Sequence, residues 1–424
     1  MSKIKKISAR EILDGRAYPS LEVKIVLDNG IETKVSAPSG IYHNTFEPKE
    51  LLDEISNDYL VPGVLRAIKM VETVIFPALK GMNPAHQQEI DDLLLALDGT
   101  EDKSHLGVNT IFAVSVACAR VSAINEKIEL YTYLEKYFKL SPSKYLPKPI
   151  FTMFNGGLYA DTNLDFQEYL LLAKSNEVKE NVLLGREIYH SLGRILRENG
   201  FDADTGTEGG YAPNLDSSIQ ALEMIRAAAI NSGYSNGKDF SLGIDLGASL
   251  FFDKNEDKYI FAAGHHLISK NNLAGLYQEW FSAQGVDYLE DPLTEDRFAD
   301  WRELTASMGG KAIIAGDDLF SSQISRLRQG LKEKAANAMV IKPIQVGTLS
   351  EAVECVKLAK KYGYQIVVSA RGGETNDDFI VDFAVAVGAD WLKSGAPARG
   401  ERVAKYNRLL EIEILCQENH QLQK

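Results

Sequence analysis

The chain has 424 residues, of which 45% are hydrophobic and 25% charged, with a formal net charge of −13. Such a length predicts two domains, or one barrel of about 250 residues with an addition, and the near-average composition excludes a long disordered region. The negative balance opposes nucleic acid and anionic membrane surfaces as partners, because each would be approached against a repulsive field.

The chain opens with Lys3, Lys5 and Lys6 rather than the apolar run of a signal peptide, and no stretch of about 18 uncharged apolar residues follows, so a cytoplasmic protein is expected. Cys118, Cys355 and Cys416 are too scattered for a disulfide framework or a zinc site and read as free thiols. Leu21, Val23 and Ile25 alternate with Glu22 and Lys24, the period of a half-buried strand. Asp28-Asn29-Gly30 then offers the positive φ angles of a hairpin turn into a second strand through Val35. Helical spacing follows at Val64, Leu65, Ile68, Val71 and Ile75, at Ile90, Leu93, Leu94 and Leu97, and at Ile111, Val114, Cys118 and Val121. Sheet followed by helices predicts an α+β N-terminal domain, assigned to residues 1–138. The proline-bearing stretch from Lys139 to Pro149 reads as the connection into a second domain, residues 139–424.

In that second part, short apolar runs each end in a polar or charged residue. They end at Asp245, Glu290, Asp317, Lys342, Arg371 and Lys393, and after one longer interval the spacing settles at 22 to 29 residues. This matches a strand-plus-helix unit of about 30 residues and predicts a parallel α/β barrel. Functional residues of such a barrel sit at the C-terminal ends of its strands. One charged residue there would mark only where solvent begins, whereas three acids and two lysines at similar phase favour a site.

Asp245, Glu290 and Asp317 would repel one another unless a cation lay between them. Oxygen donors without His or Cys indicate a hard ion, and magnesium is expected. Lys342, near that ion and a second lysine, is expected to have a lowered pKa and to act as a base, with Lys393 charged and holding a carboxylate. A plainer alternative is that the lysines simply form salt bridges to the acids. Removing a proton α to a carboxylate creates a dianionic enolate, so the site must stabilise charge at the carboxyl oxygens.

At these residues the sequence resembles the enolase family over nearly its whole length. The matching stretches are Ser8-Ala9-Arg10-Glu11-Ile12, Leu97-Asp98-Gly99-Thr100-Glu101, Glu208-Gly209-Gly210-Tyr211-Ala212-Pro213-Asn214, Glu290-Asp291-Pro292-Leu293, Gly316-Asp317-Asp318-Leu319-Phe320, Lys393-Ser394-Gly395-Ala396-Pro397-Ala398-Arg399 and Arg402-Val403-Ala404-Lys405-Tyr406-Asn407. The resemblance implies an enolase-type (β/α)8 barrel preceded by an α+β capping domain, assembled as a homodimer or a ring of dimers. It implies dehydration of 2-phosphoglycerate to phosphoenolpyruvate through an enolate. In that scheme Lys342 is the base, Glu208 the acid on the leaving hydroxyl with Glu168 beside it, Lys393 the partner of the substrate carboxylate and Arg371 that of the phosphate. Asp245, Glu290 and Asp317 match the magnesium ligands, in keeping with the lysine-and-magnesium pattern known for enolase-superfamily sites.

The departures surround the substrate. A mobile loop that reads Ser-Gly-Ala-Ser-Thr-Gly in the family is here Ser39-Gly40-Ile41-Tyr42-His43-Asn44, so its usual closure is not expected, and a second magnesium, which the residue at Tyr42 would help bind, is left open. Tyr159 and Ala370 replace histidines, Gly372 a phosphate-contacting serine, Ile344 an asparagine and Thr207 an aspartate. Tyr42, His43 and Tyr159 are candidates to contact a changed substrate. The metal acids and lysines are intact, so proton abstraction is expected to be kept and ordinary 2-phosphoglycerate turnover to be weak. The favoured substrate is 2-phosphoglycerate or a related phospho- or phosphono-carboxylate. The alternatives are a genuine phosphopyruvate hydratase and a non-catalytic enolase-like binding protein.

Overall fold

The computed structural model describes residues 2–41, 44–54, 61–141, 143–261 and 266–422. Strands β1 (Ile4–Leu13), β2 (Pro19–Leu27) and β3 (Glu32–Ala37) form an antiparallel sheet with β2 in the middle. Leu21, Val23, Ile25 and Leu27 are buried on one face, as the alternation predicts. The turn before β3 takes a positive φ only at Gly30, at 87°, while the Asn29 side chain accepts from the Ile31 amide. One glycine and one side-chain cap therefore do the work expected of three residues.

The helix Val108–Glu126 packs across β2 and β3. Its composition would let it cross a membrane, but 83% of its apolar window is buried inside the protein, so it is a core helix. Its weak amphipathicity has the same cause, since a helix surrounded by protein has no face to leave polar.

The second part is a closed barrel. In chain order its strands are β4 (Lys148–Asn155), β5 (Glu168–Ala173) and β6 (Phe240–Asp245). A small sheet intervenes, β7 (Phe252–Asp253), β8 (Lys258–Phe261) and β9 (His266–Ile268). Then come β10 (Val286–Glu290), β11 (Ile313–Gly316), β12 (Ala338–Ile341), β13 (Gln365–Ser369) and β14 (Trp391–Lys393), which pairs with β4 and closes the ring. The six apolar runs are β6 and β10 to β14, all mutually parallel. Only β5 departs from the parallel expectation, running antiparallel to both β4 and β6. Its reversal brings its first residue, Glu168, level with the last residues of its neighbours, Asn155 and Asp245.

Ile150, Leu170, Leu172, Tyr288, Ala315, Ala338, Val340 and Val367 fill the barrel interior as a separate apolar cluster. The site therefore has a packed floor rather than a pore.

Candidate active site

Asp245, Glu290 and Lys393 are the last residues of β6, β10 and β14, and Glu168 is the first of β5. All four are buried, and they meet at one point. The Lys393 ammonium lies 2.5 Å from Glu168 Oε2, 2.7 Å from Glu290 Oε1 and 2.8 Å from Asp245 Oδ2. Burial opposes its charge, but the three carboxylates outweigh burial and hold it well above the usual lysine range. One ammonium does not neutralise three acids. Burial and then the charge of Glu290 push Asp245 well above the ordinary carboxylate range. Thr152 Oγ1 donates to Glu168 and Tyr288 Oη to Glu290, each at 2.5 Å.

Glu208 extends the cluster. It sits on a loop where Gly206 donates to the Gly210 carbonyl and Gly209 takes a φ of 85°, a conformation that favours glycine. The Glu208 carbonyl accepts from the Ala396 amide, tying the loop to the chain just beyond β14. Burial and the neighbouring Glu168 charge push the Glu208 carboxyl up to about 8, with Arg402 opposing. Glu168 goes the other way, to about 2, because Lys393 and hydrogen bonds from Glu208 and Thr152 overcome burial. Two adjacent carboxyls thus divide into one acid and one anion, the arrangement that general acid chemistry at neutral pH requires.

Across the mouth, Asp317 and Lys342 lie one residue beyond β11 and β12 and form a direct ion pair. Asp291 orients this side, accepting from the Asp317 amide at 3.0 Å and the Asp318 amide at 2.7 Å. Its φ of 42° is unusual for a residue with a Cβ, and such strain concentrates at working sites. The lowered pKa expected for Lys342 beside a cation is not what its protein surroundings alone give. Burial alone would lower its pKa, but Asp317 in direct contact raises it above the ordinary lysine value.

The three expected metal ligands are split between two lysines, Asp245 and Glu290 on Lys393 and Asp317 on Lys342. Among the described residues no three His, Cys, Asp or Glu side chains stand close enough to hold a metal. Each expected ligand instead pairs with a lysine, the plainer arrangement the sequence also allowed. The donor set still fits a hard ion, since it is all oxygen, spans the adjacent strands β6, β10 and β11, and leaves Asp317 Oδ1 buried without a hydrogen-bond partner.

Between these groups lies a cavity of about 30 Å³ lined by Ile41, Glu47, Tyr159, Asp317, Lys342, Arg371 and Gly372, among others. A wider groove of about 700 Å³ adjoins it at Leu158 but holds none of the clustered acids or lysines. Arg371 pairs with Glu47 at 2.8 Å and leaves its Nε buried and unpartnered. Tyr159, half-buried, lies within the field of Glu208, Asp245 and Glu168, and its carbonyl accepts from both the amide and the hydroxyl of Thr207. Ile344 has joined the apolar core. Tyr42 and His43 lie outside the described residues.

Beyond those two positions the chain is anchored. Asn44 Nδ2 donates to Asp318 at 3.0 Å and to Ser321 at 2.9 Å, and Arg326 stacks 3.6 Å from the Phe46 ring centre. The Asn44 side-chain amide supplies an anchor that glycine could not. Glu47 and Asp291 were not singled out from the sequence. Asp291 stands in a matching motif, but Glu47 is brought to Arg371 by tertiary folding alone.

A closed eight-stranded α/β barrel preceded by an α+β domain, with lysines and carboxylates interleaved at the strand ends, is the class that fold and site define. Residues 4–134 match the family model described as enolase, N-terminal domain, and residues 143–422 match enolase, C-terminal TIM barrel domain. A protein named enolase from Ehrlichia ruminantium (strain Welgevonden) is 40% identical over 414 residues, 97% of this chain and 96% of that protein. One of the same name from Corynebacterium kroppenstedtii is 39% identical over 415 residues, 97% of this chain and 95% of its own. The chain belongs to the enolase family.

Proposed function

We propose that the protein is a magnesium-dependent hydro-lyase of the enolase type, acting on 2-phosphoglycerate or a related phospho- or phosphono-carboxylate. The observation that carries this reading is the meeting of Glu168, Asp245, Glu290 and Lys393 at the strand ends, with Glu208 against Glu168 and Lys342 paired to Asp317.

Lys342 Nζ takes the proton α to the substrate carboxylate, and the C–H electron pair becomes an enolate. Lys393 holds the carboxylate oxygens on which that charge gathers. As the enolate collapses, the β-hydroxyl leaves with the Glu208 proton, giving water and an unsaturated product. Glu168, held ionised, keeps that proton on Glu208. Arg371 orients the distal anion through its donor fork. Asp245, Glu290 and Asp317 would hold magnesium, which would offset the carboxylate field that keeps Lys342 protonated and stabilise charge on the substrate carboxylate. The family also supports a homo-oligomer, a homodimer or a ring of dimers, in the cytoplasm.

The test is solvent exchange. With 2-phosphoglycerate and magnesium in deuterated water, the α-proton signal is expected to decay with little phosphoenolpyruvate formed. Lys342→Ala is expected to slow exchange by about 10²-fold or more. Exchange undiminished in that variant removes Lys342 from the base role. Rapid phosphoenolpyruvate formation would instead identify a genuine phosphopyruvate hydratase, a reading supported by the intact acids and lysines.

A further inference from the structure

We infer that Ile41 and Gly372 are a reciprocal pair that sets the size of the anion accepted at Arg371, and that the pair disfavours a tetrahedral phosphate ester there. This rests on the reading of the barrel mouth as the substrate site. Ser39 and Gly373 exchange backbone hydrogen bonds, both at 2.9 Å, which fixes the segment carrying Ile41 against the one carrying Gly372. A Cβ at position 372 would stand 2.6 Å from both Cγ1 and Cδ1 of Ile41, inside any real carbon contact. A serine at 372 would force the end of the Ile41 side chain to turn aside.

The two departures from the family pattern are therefore one change in space. An apolar side chain has filled the volume that a hydroxyl vacated. A phosphate dianion has three charged oxygens to satisfy, and an aliphatic wall on one side leaves part of that demand unmet. The remaining cavity, about 30 Å³, has room for only about two waters. Arg371 offers its buried, unpartnered Nε beside the Nη2 that holds Glu47, so one arm of its donor fork already faces a carboxylate and only the other is left for a substrate anion. The pair is thus a specificity determinant of the distal anion, separate from the groups that move protons.

A double-mutant cycle tests this on the full chain with magnesium, using calorimetric titration of 2-phosphoglycerate and of inorganic phosphate. Ile41→Ala is expected to tighten 2-phosphoglycerate binding about threefold. Gly372→Ser alone, forced against Ile41, is expected to weaken it or leave it unchanged. The double variant is expected to bind about tenfold tighter than the product of the single effects allows, within the coupling range of touching residues. Inorganic phosphate should follow the same order. Single effects that simply multiply, or a double variant that binds neither probe, overturn the inference. Melting curves establish folding, and Ile41→Val, expected to give a smaller effect in the same direction, takes the place of Ile41→Ala if that variant is unfolded. Affinity is read without turnover, so the two readings fail separately. Coupling without proton exchange counts against the proposed function alone, and exchange without coupling against this inference alone.

Discussion

Glu168 and Glu208 carry the same functional group, yet Lys393 and hydrogen bonds overcome burial to make one an anion near 2, while burial beside that anion raises the other to about 8. A general acid must be protonated to act, and Glu208 keeps its proton below about pH 8. Dehydration should therefore be insensitive to this group up to that pH and fall about tenfold per unit above it. Glu208→Gln keeps the shape but has no proton to give. It is expected to lose dehydration by about 10² to 10⁴-fold while retaining α-proton exchange. A pH–rate profile and exchange followed by NMR check both, and a variant that still dehydrates normally would remove Glu208 from the acid role. The motif around Glu208 was legible in the sequence, but its protonation was not. That depends on Glu168, a residue 40 positions away that a reversed strand delivers to the same mouth.

At the scale of elements, the seam between the two parts is held by a few buried polar side chains. Asp91, on the helix Gln87–Asp98, accepts from Gln87 at 2.9 Å and Ser115 at 2.6 Å, and from the Ser350 amide at 3.0 Å and hydroxyl at 2.7 Å. Ser350 lies in the first turn of the helix Leu349–Lys361, which follows β12, so this one carboxylate joins the N-terminal helices to the barrel. Asp91→Ala would take their acceptor from the Ser115 hydroxyl and from the amide and hydroxyl of Ser350 and is expected to cost about 2–4 kcal/mol. Urea denaturation measures it, and a cost under about 0.5 kcal/mol would show that the seam does not depend on Asp91. Sequence periodicity marked this helix by its apolar face at Ile90, Leu93, Leu94 and Leu97. It gave no sign of Asp91, because a buried acid interrupts the pattern rather than forming part of it.

For the whole molecule, a continuous apolar core runs from β1 through the helices outside the barrel, so the two parts are expected to unfold together. Trp280, Trp301 and Trp391 all lie in the barrel part, so their fluorescence reports it while far-UV circular dichroism reports both. The two curves should coincide in urea, and separate midpoints would mean independent domains. Magnesium that binds only the folded state should shift both curves equally, by about 2.7 kcal/mol at a hundredfold excess over Kd. Asp317→Asn, which removes the carboxylate bearing the unpartnered buried oxygen, should abolish that shift.

What the sequence by itself determined is whatever local pattern records. Alternation at Leu21, Val23 and Ile25 marked a strand, and apolar runs ending in Asp245, Glu290, Asp317, Lys342 and Lys393 marked the barrel and its mouth. Tertiary structure decided which charge meets which. It reversed β5, set Lys393 among three carboxylates, pressed Lys342 onto Asp317, turned Asn44 into an anchor, and joined Ile41 to Gly372 and Glu47 to Arg371. The physical reason is range. Periodicity reports a residue's neighbours a few positions away, whereas burial and Coulomb interaction act between side chains that only the closed barrel brings within a few ångströms.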